Sequence, residues 1–286
     1  MHLTIGELLA EGIRHLEGAT AAAGRNATPA LDAEVLLAHV LSVGRAQLRS
    51  HPEEPAHERA GGYRALIARR AAGEPLAYLT GKREFWSLPV GVSRAVLVPR
   101  PETELLVERA LALRAAPEGR VVDLGTGSGA IALALARERP HWQVTATDIS
   151  SEALAIARTN AVQLELSGID FRQGSWFAPL ASARFDLIVS NPPYVAADDP
   201  ALEDPALAHE PRLALTPGAD ALYCLREIAR DAPRHLEPGG WLLLEHGATQ
   251  AAAVRDELVL AGCRYVRSHR DLAGHERITE GQYDPL

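Results

Sequence analysis

The sequence predicts an α/β protein whose larger part is a doubly wound parallel sheet, preceded by a small N-terminal helical bundle and a β-hairpin linker. Three observations predict it. From residue 99 onward, short apolar runs alternate with helical runs, the signature of a parallel sheet with helices on both faces. Residues 1–80 show only helical spacing, and the period switches to two between Lys82 and Val98. At 286 residues the chain is long for one ordinary domain. The expected division is a bundle for substrate recognition at 1–80, a linker at 81–98 and a catalytic domain at 99–286.

Thr4 with Glu7 three residues on forms a capping box ahead of Leu8, Leu9 and Ile13. A second helix opens at Thr28-Pro29 and closes at Gly44, and a third runs through Tyr63, Leu66 and Ile67 to Gly73. Val90 and Val92, then Val96 and Val98, alternate near Pro89 and Gly91 and suggest the hairpin. A helix from Pro101 to Arg114 leads to a strand at Arg120–Leu124, a glycine turn and a helix at Ala130–Glu138. Further strands are expected at Gln143–Asp148, Asp170–Gln173, Phe185–Ser190 and Trp241–His246. Helices are expected at Ser151–Leu166, Asp220–His235 and Gln250–Ala261. Tyr265–Asp271 and Glu276–Tyr283 flank Gly274 as a closing hairpin.

Composition removes several functional classes. No apolar run approaches the roughly 18 residues of a membrane span, and Glu7 and Glu11 interrupt the only candidate for a secretory signal. A cytoplasmic address is expected. The two cysteines, Cys224 and Cys263, lack any CxxC or CxxH neighbourhood, so they are expected as core thiols, with no disulfide framework and no metal. The net charge of -8 argues against a broad grip on nucleic acid, which needs Lys and Arg against phosphates.

Two turns carry the chemistry. Gly125-Thr126-Gly127-Ser128-Gly129 lies between a strand and a helix, where open α/β sheets bind ligands. Glycines there allow positive φ and close backbone approach, and the helix N-terminus offers N–H groups to a carboxylate. With Ala130 the run also satisfies a dinucleotide fingerprint, and Asp148 suits ribose hydroxyls in either case. Trp176 and Phe177 border an adenine or form a core aromatic pair.

The turn after the fourth strand decides between the methyl-donor and dinucleotide readings. Phe185–Ser190 runs into Asn191-Pro192-Pro193-Tyr194, whose two prolines fix φ and remove two donors. The Asn191 side-chain oxygen and the Pro192 carbonyl then each accept one N–H of a planar nitrogen. Its lone pair is delocalised, as in a peptide bond, and the remaining direction is aimed at a donated methyl group. Orientation of this kind supplies several kcal/mol, with an upper range of about 7 to 11. Tyr194 is expected to pack on the flat face of the substrate group. The plain alternative is an Asx-Pro turn. Together the two turns and Asp148 indicate an S-adenosyl-L-methionine-dependent methyltransferase, leaving S-adenosyl-L-homocysteine as product.

On Arg83–Leu88, Pro99-Arg100-Pro101-Glu102-Thr103-Glu104, Asp123–Ala130, Asn191–Tyr194 and Glu245-His246-Gly247, the chain resembles the peptide chain release factor glutamine methyltransferases. The resemblance covers nearly the whole chain. It implies a Rossmann-like class I methyltransferase sheet and transfer to the glutamine amide in the Gly-Gly-Gln loop of class-1 release factors. It also implies that Gly125, Thr126, Gly127, Ser128, Gly129, Asp148 and Trp176 contact the cofactor. Asn191, Pro192, Pro193 and Tyr194 would receive the amide, with Asn191 touching both ligands and Asn191, Pro192 and Tyr194 as the catalytic set. Pro101 through Glu104 favours this branch over the similar enzymes that act on a ribosomal protein, and it also reads as a helix start with acids at the positive end.

Against an adenine amino-methyltransferase acting on DNA, residues 1–80 carry eight Arg and no Lys beside nine acids, no net positive surface for a flipped base. A non-catalytic partner protein is the remaining alternative. A monomer is expected. Val195–Pro217, rich in acids, reads as a substrate-side lid or a solvated loop. His246 reads as a structural histidine in preference to a general base, because the amide needs no early deprotonation.

Overall fold

A computed structural model describes residues 3–19, 28–114 and 116–284. Met1 and His2 of the N-terminal run and the last two positions of the 99–286 span lie outside the described residues. The chain divides into two compact units, Met1–Lys82 with Pro200–Glu210, and Arg83–Asp199 with Pro211–Leu286.

The first unit is helical. In α1 (Ile5–Gly18), Thr4 Oγ1 accepts the Glu7 N–H at 3.3 Å while Glu7 Oε2 accepts the Thr4 N–H at 2.9 Å, the expected capping box. α2 (Pro29–Leu41) ends earlier than Gly44 because Ser42 turns left-handed, and Gly44 instead precedes a short α3 (Arg45–Ser50). α4 (Ala60–Ala71) and α5 (Leu76–Thr80) follow. The spans α3 and α5 are too short to show a periodicity, which is why the sequence did not announce them. Leu8, Leu36, Leu37, Tyr63 and Ile67 form the core, and Gly12 leaves room for Tyr63 where a Cβ would overlap its hydroxyl. Arg70 Nε donates to Asp32 Oδ2 at 2.7 Å inside this unit, and Thr28 Oγ1 donates to the other oxygen at 3.0 Å.

The hairpin is formed by β1 (Lys82–Phe85) and β2 (Leu88–Gly91) around Trp86-Ser87, both with positive φ of 51° and 57°. Val96 and Val98 are not in a strand. They are buried core residues, so the alternation recorded burial on one side and not pairing. The turn is tied down by Trp86 N–H to Glu104 Oε1 and Trp86 Nε1 to Glu138 Oε1, both 2.8 Å. A 3-10 turn at Pro101–Thr103 leads into α6 (Glu104–Leu113).

The alternation then proceeds as β3 (Gly119–Leu124), α7 (Ala130–Glu138), β4 (Trp142–Asp148), α8 (Ser151–Gln163), β5 (Asp170–Gln173) and β6 (Phe185–Ser190). After the short α9 (Arg212–Leu215) come α10 (Tyr223–Asp231), β7 (Leu236–Glu245), α11 (Ala251–Leu260), β8 (Cys263–Arg270) and β9 (Glu276–Tyr283). The seven strands are ordered β5-β4-β3-β6-β7-β9-β8. The first five strands pair in parallel and the closing hairpin adds antiparallel strands. Successive residues of β3 point to opposite cores: Val121 joins Val107 and Leu133, whereas Val122 joins Ile228 and Val254. Burial on both faces explains the unbroken apolar strands. Each such fully buried aliphatic side chain contributes roughly 1.5 to 3 kcal/mol. Cys224 and Cys263 are both buried free thiols, as expected.

The connection after β6 has short regular segments of its own. It contains 3-10 turns at Pro200–Glu203 and Leu207–His209 besides α9. The Val195 N–H donates to the Leu215 carbonyl at 3.1 Å and the Ala197 N–H to the Gly218 carbonyl at 2.9 Å, which closes the base of the connection.

Candidate active site

The sheet order brings the two turns together. The chain builds β4 and β5 on one side of β3, then returns to place β6 on the other side, so the carboxyl ends of β3 and β6 are neighbours at a topological switch point. Leu124 is in register with Ser190, and the Ser190 hydroxyl donates to the Leu124 carbonyl at 2.7 Å. Gly125 and Asn191 therefore leave adjacent strands side by side. β7 continues the row, with Ser190 opposite Leu244, so Glu245 emerges next to Asn191.

A cavity of about 600 Å³ opens at this edge. Gly125, Thr126, Gly127, Ser128, Asp148, Trp176, Asn191 and Pro193 line it. Gly129, Pro192 and Tyr194 do not contribute to its lining. Phe85, Thr103, Ile149, Leu213, Tyr223 and Cys224 do, although the sequence did not single them out for it.

The glycine turn holds three positive φ angles, 71° at Gly125, 57° at Gly127 and 86° at Gly129. The Gly125 and Thr126 N–H groups both donate to the Thr147 carbonyl at 2.9 Å. Asp148 Oδ2 accepts the Gly127 N–H at 2.8 Å and Oδ1 the Ser150 N–H at 2.9 Å. Burial raises the Asp148 pKa, against those N–H groups, which favour the carboxylate. Thr126 is committed inward, its hydroxyl donating to Asp123 Oδ2 at 2.6 Å, and the same oxygen takes the Ala132 N–H of α7 at 3.2 Å. Burial pushes Asp123 up to about 7, and among the described residues its Oδ1 has no partner. From the other side Asn160 clamps the turn, donating to the Ser128 carbonyl at 2.8 Å and to the Gly91 carbonyl at 2.9 Å.

The neighbouring aromatics take different places. Trp176, with φ of 45°, borders the cavity and donates through Nε1 to Glu227 at 3.3 Å. Phe177 belongs to the core and stacks on His235 with ring centroids 4.6 Å apart.

Asn191 donates through Nδ2 to Thr103 Oγ1 at 3.1 Å. The Tyr194 hydroxyl donates to Glu245 Oε1 at 3.2 Å, and Glu245 Oε2 has no hydrogen-bond partner among the described residues. Glu245 is fully buried, and burial pushes its carboxyl up to about 7. The ring of His246 is bonded by Nε2 to Thr279 Oγ1 at 2.8 Å and by Nδ1 to the Gly247 carbonyl at 3.0 Å. Burial lowers its pKa, and both nitrogens are occupied within the protein, the arrangement of a structural histidine. Among the described residues no cluster of side chains suits a metal ion, and no helix is long and apolar enough to cross a membrane.

The arrangement has the features of a ligand site: open space over Gly127, a carboxylate at Asp148, an aromatic edge at Trp176 and an amide at Asn191. Residues 101–210 match the Methyltransferase small domain family, and residues 7–81 match the PrmC N-terminal domain. The fold is shared with a methyltransferase from Pyrococcus furiosus, with a TM-score of 0.53, 18% identity and coverage of 79% of this chain and 100% of that one. It is shared also with the hMettl16 catalytic domain, with a TM-score of 0.59, 19% identity and coverage of 77% and 82%. Among curated relatives, the release factor glutamine methyltransferase of Xylella fastidiosa strain Temecula1 is 53% identical over 254 residues, 88% of this chain and 92% of its own. That of Vibrio cholerae is 49% identical over 258 residues, 90% of each. By identity of this extent over most of both chains, the chain belongs to the release factor glutamine methyltransferase family.

Proposed function

We propose that this enzyme transfers a methyl group from S-adenosyl-L-methionine to the side-chain amide nitrogen of the glutamine in the Gly-Gly-Gln loop of class-1 peptide chain release factors, acting as a cytoplasmic monomer. The observation that carries the reading is the juxtaposition of Asn191 with the glycine turn across β3 and β6. The names of the relatives supply the substrate.

The residues present fit the cofactor. About 600 Å³ is within the range of small-molecule sites, and a Cβ at Gly127 would meet nothing within 4 Å, so the backbone there is open to a close ligand. Gly125–Ser128, Asp148, Trp176 and Asn191 would hold it, Asp148 through ribose hydroxyls, while Gly129, outside the cavity lining, packs the turn against Ala157 and Leu133. Bound S-adenosyl-L-methionine supplies an electrophilic methyl group. The chain contributes placement. An amide nitrogen has its lone pair in resonance, so it must be held in one orientation by acceptors. Asn191 Oδ1 and, although it lies outside the cavity lining, the Pro192 carbonyl serve as these acceptors, with Pro193 on the substrate side; Tyr194 is packed against the core and bonded to Glu245 and does not lie on the flat face of the substrate group. The proton departs to solvent from the methylated nitrogen, which is the more acidic species, so no buried base is needed. The N-terminal helices, which match the PrmC N-terminal domain over residues 7–81, serve substrate recognition.

Purified protein should transfer labelled methyl groups from S-adenosyl-L-methionine to a release factor and not to its loop variant with Ala for Gln. Equal labelling of both would overturn the assignment. Asn191→Ala should lose about a hundredfold in turnover with unfolding little changed, and near-normal turnover would remove the acceptor role.

A further inference from the structure

We infer that Asn160 is a positioning residue for the cofactor: from α8 it fixes the glycine turn and the segment after β2, two walls of the cavity, in one geometry. The inference rests on the methyl-donor reading of the cavity and concerns what holds its walls.

Asn160 stands on the core-facing side of α8 with Ala153, Leu154, Ala157 and Ala161, a polar side chain among apolar neighbours. It is 2% exposed, so its amide must find its partners inside the protein. Oδ1 accepts the Gly91 N–H at 2.9 Å. Nδ2 donates to the Gly91 carbonyl at 2.9 Å and to the Ser128 carbonyl at 2.8 Å. An asparagine amide has nearly the same shape when flipped, but backbone N–H and carbonyl groups have fixed roles. These three partners therefore allow one orientation only.

Each partner belongs to a wall. Ser128 lines the cavity, and its peptide with Gly129 is planar. Holding the Ser128 carbonyl toward α8 thus also aims the Gly129 N–H, which closes the turn on the Thr126 carbonyl at 2.9 Å. Gly91 ends β2, and beyond it Arg94, Val96, Leu97 and Pro99 line the same cavity. Asn160 itself lies outside the lining, so it acts on the ligand through these two backbone segments.

Two substitutions reach the same bonds from opposite sides. Asn160→Asp keeps the shape and removes both donors, which sets an acceptor against two carbonyls. Gly91→Ala leaves residue 160 intact. The backbone of Gly91 is not left-handed, so an L side chain is allowed there. Its Cβ would lie 2.6 Å from Asn160 Oδ1, however, and would displace the amide.

The test measures calorimetric binding of S-adenosyl-L-homocysteine and urea unfolding for wild type, Asn160→Asp, Asn160→Ala, Gly91→Ala and the double variant Gly91→Ala with Asn160→Ala. Gly12→Ala, a packing change in the helical unit, is the reference for a purely structural loss. Each folded single variant at 160 or 91 should bind about tenfold or more weakly. In the Asn160→Ala background, Gly91→Ala should add less than about twofold, because the group it displaces is gone. Gly12→Ala should lower stability with affinity held within about twofold. In release factor methylation by Asn160→Asp, KM for S-adenosyl-L-methionine should rise about tenfold or more while KM for the release factor stays within about twofold.

A readout independent of the ligand is hydrogen exchange at the Gly91 and Gly129 amides. It should quicken in Asn160→Asp and Gly91→Ala while the amides of α11 keep wild-type protection. Affinity within about twofold of wild type in folded Asn160→Asp or Gly91→Ala, additive losses in the double variant, or unchanged exchange at Gly129 would overturn the positioning role. If wild type binds no S-adenosyl-L-homocysteine, the methyl-donor reading fails, and exchange at Gly129 still decides whether Asn160 holds the turn.

Discussion

Gly127 and Gly129 look interchangeable in the sequence, but the structure separates them, and replacing each by Ala distinguishes a ligand cradle from a packing requirement. Both have left-handed backbone, with φ of 57° and 86°. That conformation costs an L side chain about 1 to 2 kcal/mol. A Cβ at Gly127 would meet no atom within 4 Å, so Gly127→Ala should cost little beyond the backbone term. A Cβ at Gly129 would lie 3.1 Å from Ala157 Cβ and 3.3 Å from Leu133 Cδ1. Overpacking of this kind adds about 1 to 3 kcal/mol, for a total of about 2 to 5. Each kcal/mol corresponds to about 2 to 4 °C in Tm for a domain of this size.

Binding should rank in the opposite order. The methyl of Gly127→Ala projects into the cavity, where a ligand must approach the backbone, and should weaken S-adenosyl-L-homocysteine by about tenfold or more. Gly129 lies behind the turn, so the folded fraction of Gly129→Ala should bind almost as wild type does. Urea unfolding and isothermal calorimetry give the two quantities. Binding by Gly127→Ala within about twofold of wild type would refute the close approach, and an equal loss of stability in the two variants would refute the packing distinction.

Glu245 makes stability depend on pH in a defined direction. Its carboxyl is raised from 4.5 to about 7, so the folded protein keeps a proton that the unfolded chain sheds. This contribution is full below 4.5 and is lost as pH rises through about 7. Across that window wild type should lose up to ~1.4 kcal/mol per pH unit more than Glu245→Gln. Denaturant titrations with equal pH slopes would contradict this. In the helical unit, the buried Tyr63 hydroxyl has no partner among the described residues, so Tyr63→Phe should be neutral or stabilising. Gly12→Ala, which overlaps that hydroxyl, should lower Tm clearly, and the opposite order would remove the packing account. His246→Gln should reduce stability far more than turnover of the folded protein, and a selective loss of kcat would reinstate His246 as a base.

The sheet was legible because its strands are buried on both faces, and Val121, Val122, Ile188 and Leu243 therefore form apolar runs with helical periods between them. The start of α1 was legible for a local reason, the reciprocal bonds of Thr4 and Glu7. Val96 and Val98 misled because alternate burial in an irregular segment resembles a strand, and only hydrogen-bond pairing separates the two. Trp176 and Phe177, adjacent in sequence, were indistinguishable until the left-handed φ of Trp176 turned one ring to the cavity and left the other in the core. Thr103 and Glu245 carried no signal of their own. Both come beside Asn191 only in the fold, Thr103 through a bond across 88 positions and Glu245 at the end of the neighbouring strand.

The same strand order brings to this edge two buried carboxylates that have no ion-pair partner among the described residues. Asp123, next to last in β3, and Glu245, last in β7, lie on either side of β6, and each is fully buried and pushed toward neutral. A buried carboxylate without a paired charge is costly, and it is tolerated where its hydrogen bonds organise something that packing cannot. At Asp123 these bonds, from Thr126 and the Ala132 N–H, fasten the glycine turn to the first turn of α7. At Glu245 the one bond among the described residues comes from the Tyr194 hydroxyl to Oε1, at the end of the turn that begins at Asn191. One carboxylate thus shapes the glycine turn and the other holds Tyr194, the last residue of the turn that begins at Asn191. His246, the residue that looked chemically capable from the sequence, spends both ring nitrogens on joining Thr279 of β9 to the turn at Gly247. A reaction limited by orientation of a weak nucleophile gains from fixed acceptors rather than from a mobile base, and the placement of these three side chains follows that requirement.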